Sequence, residues 1–232
     1  MTESRFTAIV PAAGVGARMK ADKPKQYLKI QGKTILEHTV EKLLSHPGIE
    51  NVVVAISIDD PYFDSLALAK LPNVIRVDGG AERSQSVLNA LTYVVDNSPS
   101  HWVLVHDAAR PCVELSDISR LITEATEHPV GAILAAPVRD TMKRSNAKQD
   151  IDQTIDRSSL WHALTPQMFR SEQLKEALTQ ALFHKVAVTD EASAMEWLGL
   201  SPRLVTGRMD NLKITQPEDL SLAEFYLTRD KG

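Results

Sequence analysis

Small residues, two glycines and an arginine follow the first apolar run, in Pro11-Ala-Ala-Gly14-Val-Gly16-Ala-Arg18-Met19. Two lysines come shortly after, in Lys23-Pro-Lys25-Gln26. Glycines where a strand turns into a helix let backbone N–H groups approach phosphate oxygens closely. A Walker loop would need Gly-Lys-Ser/Thr, and the segment has none. A dinucleotide fingerprint would need a third glycine where Met19 stands, and an acid for the ribose after the second strand. Asp59 and Asp60 follow that strand, but at about twice the usual ~20 residues from the loop. What remains is a phosphate loop with its own cation, Arg18, and with Lys25 close behind it. That combination fits a triphosphate better than a pyrophosphate. One cation at ~4 Å contributes on the order of 4 kcal/mol at an effective dielectric near 20. Loop amides alone would leave much of a triphosphate's charge unbalanced.

Other segments offer complementary chemistry. Gly79-Gly80 ends a strand and precedes a helix, with Ser84 and Ser86 near its start. Small residues there allow a flat base to lie against backbone amides. The polar edge of such a base needs acceptors and donors, which main-chain groups can supply. Asp107 follows a buried apolar run, in His106-Asp-Ala-Ala-Arg110. A carboxylate at a strand's carboxyl end suits Mg²⁺, which takes few carboxylates and keeps phosphates and water. Asp210, before Lys213, is a candidate second acid near that metal, and His106 is read as a structural neighbour. The seven histidines show no zinc-like spacing.

The elements that must position these residues are legible as alternating runs. Strands are expected at 6–10, 52–56, 74–77, 102–105, 131–135 and 203–206. Helices are expected near 34–45, 61–70, 84–96, 115–127, 171–183, 190–198 and 217–228. Val52-Val-Val-Ala-Ile56 is apolar on both faces, as a buried parallel strand should be. Thr215-Gln-Pro-Glu218 looks like a capping box for the last helix, and Gly199 like the stop of the one before. Strand–helix alternation implies an α/β fold in three layers, a mostly parallel Rossmann-like sheet with helices on both faces. Ligands in such sheets sit at the carboxyl ends of the strands. The polar segment 138–158 breaks the rhythm: two extended stretches flank a turn from Asn146 to Asp150. It is expected to be a β-arm that leaves the body and packs on a partner subunit, since an isolated hairpin is marginal in water. The alternative is a mobile surface loop.

Composition excludes several classes. A chain of 232 residues is expected to be a single domain, 1–232. Lysine plus arginine is 26 against 30 acidic residues, a formal charge of −4. That argues against a nucleic-acid or anionic-membrane binder, so a polyanionic substrate must meet a local cluster of cations. The single cysteine, Cys112, allows no internal disulfide and points to a reducing, cytoplasmic setting. The opening MTESRF has no long apolar stretch of a signal peptide, and no run has the ~18 apolar residues of a membrane span.

The blocks, in their order, resemble the 2-C-methyl-D-erythritol 4-phosphate cytidylyltransferase family, within the sugar-nucleotidyltransferases. They are Val10-Pro-Ala-Ala-Gly14, Arg18-Met19 and Lys23-Pro-Lys-Gln-Tyr27; Val77-Asp-Gly-Gly80, Glu82-Arg83 and Ser86-Val87; and Val105-His-Asp-Ala-Ala-Arg-Pro111. Ala136-Pro-Val-Arg-Asp-Thr141, Thr154-Ile-Asp-Arg157 and Leu160-Trp-His-Ala-Leu-Thr-Pro-Gln167 follow. Thr189-Asp-Glu-Ala-Ser193 and Asp210-Asn-Leu-Lys213-Ile-Thr215 complete the set. Each is modestly specific; the order and spacing together are highly so.

The resemblance implies transfer of CMP from CTP to 2-C-methyl-D-erythritol 4-phosphate, with release of pyrophosphate and with Mg²⁺ near Asp107. It gives Arg18 and Lys25 the catalytic roles. It places the nucleotide at Ala12, Ala13, Gly14, Gly80, Ala81 and Ser86. Ala81 stands where some relatives have aspartate, a change that a main-chain contact survives. Arg110, Thr141, Arg157, Thr165 and Lys213 are matched to contacts with the sugar phosphate. Thr141 and Arg157 lie on the arm, which in the family crosses a two-fold axis of a homodimer to complete the neighbour's site. A cytidylyltransferase for another polyol phosphate, such as ribitol 5-phosphate, is the nearest alternative. A nicotinamide-dependent oxidoreductase and a non-catalytic nucleotide-binding module are the others.

Overall fold

Val52 through Ile56 are all buried, as they must be in a strand covered on both sides. The computed structural model describes residues 5–14, 23–97 and 101–229. The main sheet has seven strands: β1 (Phe6–Pro11), β4 (Ile49–Ile56), β5 (Val74–Asp78), β6 (Trp102–Val105), β7 (Gly131–Pro137), β10 (Trp161–Arg170) and β11 (Arg203–Thr206). Their order is β11-β7-β10-β6-β1-β4-β5. Two short ribbons stand apart, β2 (Lys29–Ile30) with β3 (Lys33–Thr34), and β8 (Met142–Ser145) with β9 (Ile151–Ile155). The helices are α1 (Ile35–Leu44), α2 (Arg83–Asn97), α3 (Leu115–Glu127), α4 (Ser171–Phe183), α5 (Glu191–Trp197) and α6 (Glu218–Arg229).

Alternate residues of each strand feed opposite cores, which gives the three layers. Ala8, Val10, Val52, Val54 and Leu104 pack with α1 and α3 through Leu36, Val40, Leu43, Ile118 and Leu121. Ile9, Val53, Val103 and Val105 face α2, α4 and α5, through Val87, Leu91, Leu174, Leu178 and Met195. A smaller cluster around Ile35, Cys112, Ile214 and Ala223 seats α6. No helix among the described residues is long and apolar enough to cross a membrane.

Every strand of the main sheet runs the same way except β10, which is antiparallel to both β6 and β7. The sequence reading contains no strand there. Pro166 sits in its middle, where it removes a ladder donor, and the register with β7 shifts between Ala163 and Gln167. The consequence is functional: the first half of β10 lies among the carboxyl ends of its neighbours.

The expected helix at 61–70 is instead two 3₁₀ turns, Phe63–Ser65 and Ala67–Lys70, with extended Leu66 between them. Asp60 Oδ1 accepts from the N–H groups of Tyr62 and Phe63, and such local bonds compete with a longer helix. Gly199, at φ +77°, does stop α5. Its N–H donates to Glu196 O, and the Leu200 N–H to Met195 O, which is a Schellman pair. The start of α6 differs from the expected box. Asp219, rather than Glu218, accepts from the Thr215 and Gln216 N–H groups and from the Thr215 hydroxyl.

Segment 138–158 is a hairpin. Val138 N–H donates to Leu160 O at its base, so the arm continues the β7–β10 ladder outwards. At its tip, Asn146 Oδ1 accepts from the N–H groups of Lys148 and Asp150. Nearly every side chain along it is exposed, Met142 and Ile151 included.

Candidate functional site

The turns after β1, β5 and β6 open onto a cleft of about 290 Å³. The loop Ala12–Gly14 forms one wall and Gly80–Arg83 the other, with Lys25 and Lys213 at the rim and Asp107 at the floor. The loop is tied from behind. Ala12 N–H donates to Ala55 O, and Gln26 Nε2 donates to Ala12 O at 2.6 Å and Gly14 O at 3.0 Å. The N–H groups of Ala13 and Gly14 donate to no acceptor among the described residues. The opposite wall comes close: a Cβ on Gly79 would fall 2.5 Å from that of Ala13, so only glycine fits there. Ser86 Oγ accepts from Gly80 N–H and donates to Glu82 O, which fixes the turn at a residue that lines the cleft.

Asp107 is the hub. Its Oδ1 accepts from Arg83 Nε at 3.0 Å; its Oδ2 meets Lys213 Nζ at 2.8 Å and Arg110 Nε at 3.4 Å. Burial alone would raise its pKa, but Arg83, Lys213 and Arg110 outweigh burial and hold the carboxyl far below the usual range. Arg83, Asp107 and Lys213 also line a second cleft of about 240 Å³, with Arg110, Thr165 and Gln167. The two clefts therefore share one charged wall. Lys25 Nζ donates to Ile214 O at 2.9 Å, and Ile214 N–H donates to Ala109 O. One buried residue thus anchors the Lys25 and Lys213 segments together.

Behind the hub, His106 Nε2 lies 3.0 Å from Arg110 O, so it carries the proton; Nδ1 then accepts from the Thr165 hydroxyl at 2.9 Å. Thr165 Oγ1 in turn accepts from Asp107 N–H. The Thr165 proton is thus held by His106, and Thr165 acts here as a strut for the hub. Burial pushes His106 down to about 4 from 6.5. A depressed pKa gives stability that is complete above 6.5, declines as pH falls below that value and is fully lost once pH has fallen through 4. In full this is about 3 kcal/mol. Urea unfolding at pH 7.5 and pH 5 should show a marked loss for the wild type and a flatter response for His106→Gln. Equal slopes would remove His106 as the source. Asp107 adds its own loss only at still lower pH.

Of the residues read from the sequence, Ala12, Ala13, Gly14, Lys25, Gly80, Ala81, Ser86, Asp107 and Lys213 all line the first cleft. Arg110 and Thr165 line the second. Arg18 lies outside the described residues. Thr141 and Arg157 are exposed at the two roots of the arm and line neither cleft. Asp210 does not join Asp107: it pairs with Arg208 and Arg229. Two groups had no role in the sequence reading, Arg83 and Glu191. Glu191 is fully buried and grips Arg83 through both carboxylate oxygens. They stand 108 residues apart, within the blocks Glu82-Arg83 and Thr189-Asp-Glu-Ala-Ser193.

Among the described residues no group of three or more acidic, histidine or cysteine side chains gathers to hold a metal. A resident ion does not fit Asp107, whose two oxygens already face three cations. A magnesium ion that arrives with a triphosphate takes most ligands from phosphate and water and needs one carboxylate lone pair at most, and among the described residues Asp107 Oδ1 meets Arg83 alone.

Known proteins resemble the chain over nearly its whole length. The profile of the family described as "IspD: 2-C-methyl-D-erythritol 4-phosphate cytidylyltransferase" matches residues 6–229. A protein of that name from Vibrio cholerae serotype O1 is 67% identical over 228 residues, 98% of each chain. The crystal structure of the Francisella tularensis protein of that name is similar at 36% identity and TM-score 0.82, covering 96% of this chain and 100% of that one. A third of that name, from Thermus thermophilus, is similar at 30% identity and TM-score 0.79, covering 97% and 99%.

Proposed function

Because the chain belongs to the IspD family of 2-C-methyl-D-erythritol 4-phosphate cytidylyltransferases, we propose that its first cleft takes CTP and its second the sugar phosphate. The enzyme transfers CMP from CTP to 2-C-methyl-D-erythritol 4-phosphate, giving 4-diphosphocytidyl-2-C-methyl-D-erythritol and pyrophosphate. The observation that carries the assignment of clefts is their common wall of Arg83, Asp107 and Lys213. Two polyanions held on either side of it would meet at that wall.

A phosphate oxygen of the acceptor attacks the α-phosphorus in line. The new P–O bond forms as the bond to the β-phosphate bridging oxygen breaks, and pyrophosphate leaves with that electron pair. The attacking phosphate is already ionised near neutral pH, so no strong general base is required. The protein's task is to position the two anions and stabilise charge. In this proposal the Ala13 and Gly14 amides and the Gly80 turn hold the nucleotide, with Ala12 and Ala81 beside it. Arg18 and Lys25 stabilise the pentavalent transition state and the leaving pyrophosphate. Lys213 and Arg110 present the acceptor phosphate, and Thr165 steadies them through Asp107.

Magnesium belongs to the same proposal, entering with CTP and facing Asp107. Bound there, it would neutralise charge on the phosphate oxygens. So does a homodimer, in which the arm of one subunit brings Thr141 and Arg157 to the acceptor cleft of the other. The exposed arm and its apolar Met142 and Ile151 support this reading. A cytoplasmic setting suits the lone buried thiol of Cys112.

Pyrophosphate release with CTP and Mg²⁺ tests the reaction, with methylerythritol phosphate, ribitol 5-phosphate or no acceptor. Release is expected only with the first. Release with ribitol phosphate alone would keep the nucleotide cleft and reassign the acceptor.

A further inference from the structure

A fully buried carboxylate that touches no cleft needs a reason. Glu191 has none of its surface exposed and lines neither cavity. Its Oε1 accepts from Arg83 Nη1 at 2.6 Å and its Oε2 from Nη2 at 3.0 Å. Stability alone is a weak reason, since a buried ion pair is often no better than packed apolar residues of the same volume. Geometry supplies a stronger one. The start of α5 is fixed twice. Asp190 and Ser193 cap each other reciprocally. Gln167 on β10 accepts from Ala192 N–H through Oε1 and donates to Asp190 Oδ2 through Nε2. Glu191 is thereby aimed at Arg83, whose remaining Nε–H goes to Asp107 Oδ1.

We propose that Glu191 is a positioning residue of the transferase. By clamping both terminal nitrogens of Arg83, it keeps the third on Asp107, and so keeps Asp107 and the Lys213 ammonium on the wall between the two clefts. This rests on the reading of those clefts as nucleotide and acceptor sites. Three cations, Arg83, Arg110 and Lys213, face two carboxylates, Asp107 and Glu191. Neutralising Glu191 leaves the wall more positive but without its clamp. An unclamped guanidinium pairs readily with phosphate oxygens. Nucleotide binding should then hold or tighten while turnover falls, because Asp107 and Lys213 lose their fixed places.

Steady-state pyrophosphate release from the full chain, well below each variant's melting temperature, tests this in wild type, Glu191→Gln, Arg83→Met and the double variant. For Glu191→Gln, kcat is expected to fall at least about tenfold, with the KM for CTP unchanged or lower. The double variant should be no slower than Arg83→Met alone, because Glu191 acts only through that arginine. Wild-type kcat in a Glu191→Gln enzyme that merely melts earlier would overturn the inference. So would losses that multiply in the double variant. Should the glutamine variant not fold, Glu191→Asp keeps the charge with a shorter reach, and an unchanged kcat there would overturn it equally. A wild-type chain that released no pyrophosphate would instead remove the reading on which it rests.

Discussion

Lys25→Ala is expected to lower kcat by a factor on the order of 10²–10³, the usual cost of losing a donor placed for transition-state charge. The surroundings of this lysine support that expectation. It stands in a short 3₁₀ turn, Lys25–Tyr27, whose Gln26 and Tyr27 are buried, so the backbone beneath it is fixed. Its ammonium reaches Ile214 O, on the segment that also carries Lys213. It therefore lines the first cleft beside the Lys213 segment, without depending on substrate for its place. Charge gathers on the bridging oxygen only as pyrophosphate departs. A cation that meets that charge stabilises the transition state more than bound CTP, and so acts on kcat. The KM for CTP should change only a few-fold, since the loop amides and Arg18 remain. Lys25→Arg should recover part of the rate. Turnover near wild type in Lys25→Ala would sink the assignment, and an effect confined to KM would move Lys25 to ground-state binding.

The second large effect concerns the arm. Arg157→Ala should raise the KM for the sugar phosphate by about tenfold or more, the scale of one charge-assisted hydrogen bond of ~1.5–3 kcal/mol, with little effect on CTP. In one chain Arg157 is exposed and lines neither cleft, so the loss is expected to act on a neighbour. Mixing decides this directly. When Lys25→Ala and Arg157→Ala chains are co-expressed with different tags, a mixed dimer has one cleft with an intact Lys25 and an intact arm from its partner. Purified mixed dimers should recover up to about half the wild-type activity per dimer at an acceptor concentration where each parent is nearly silent. Activity no better than the mean of the parents would return the arm to its own subunit.

The fold was legible in the sequence wherever one element's own periodicity decided it. The α3 and α4 boundaries, and those of β6 and β11, agree with the expected ones residue for residue. The hairpin was visible because two polar extended stretches flank a turn. Failures came where a distant partner, or a local side-chain bond, decides. β10 carries Pro166 and opens with exposed residues, so its own pattern does not announce a strand; its pairing with β6 and β7 makes it one. The 61–70 segment has helical apolar spacing, yet Asp60 holds its first amides in a turn. At the cleft, glycines, Lys25 and Asp107 stood in recognisable blocks. Asp107's three cations come from residues 83, 110 and 213, and no local spacing reveals that they meet. Asp210 shows the reverse: near Lys213 in sequence, it is turned away by Arg208 and Arg229.

The reversed direction of β10 has one more consequence. Because β7 and β10 run oppositely, the chain leaves the sheet at Val138 and re-enters at Leu160 beside the same point, joined there by a single backbone bond. The arm is thus an insertion whose two ends are already closed. It can lengthen, shorten or be exchanged without disturbing sheet order or strand register. Where the arm completes a neighbour's acceptor cleft, as proposed above, acceptor choice becomes a separable module: recombination could transplant it between relatives while the body of the fold stays as it is.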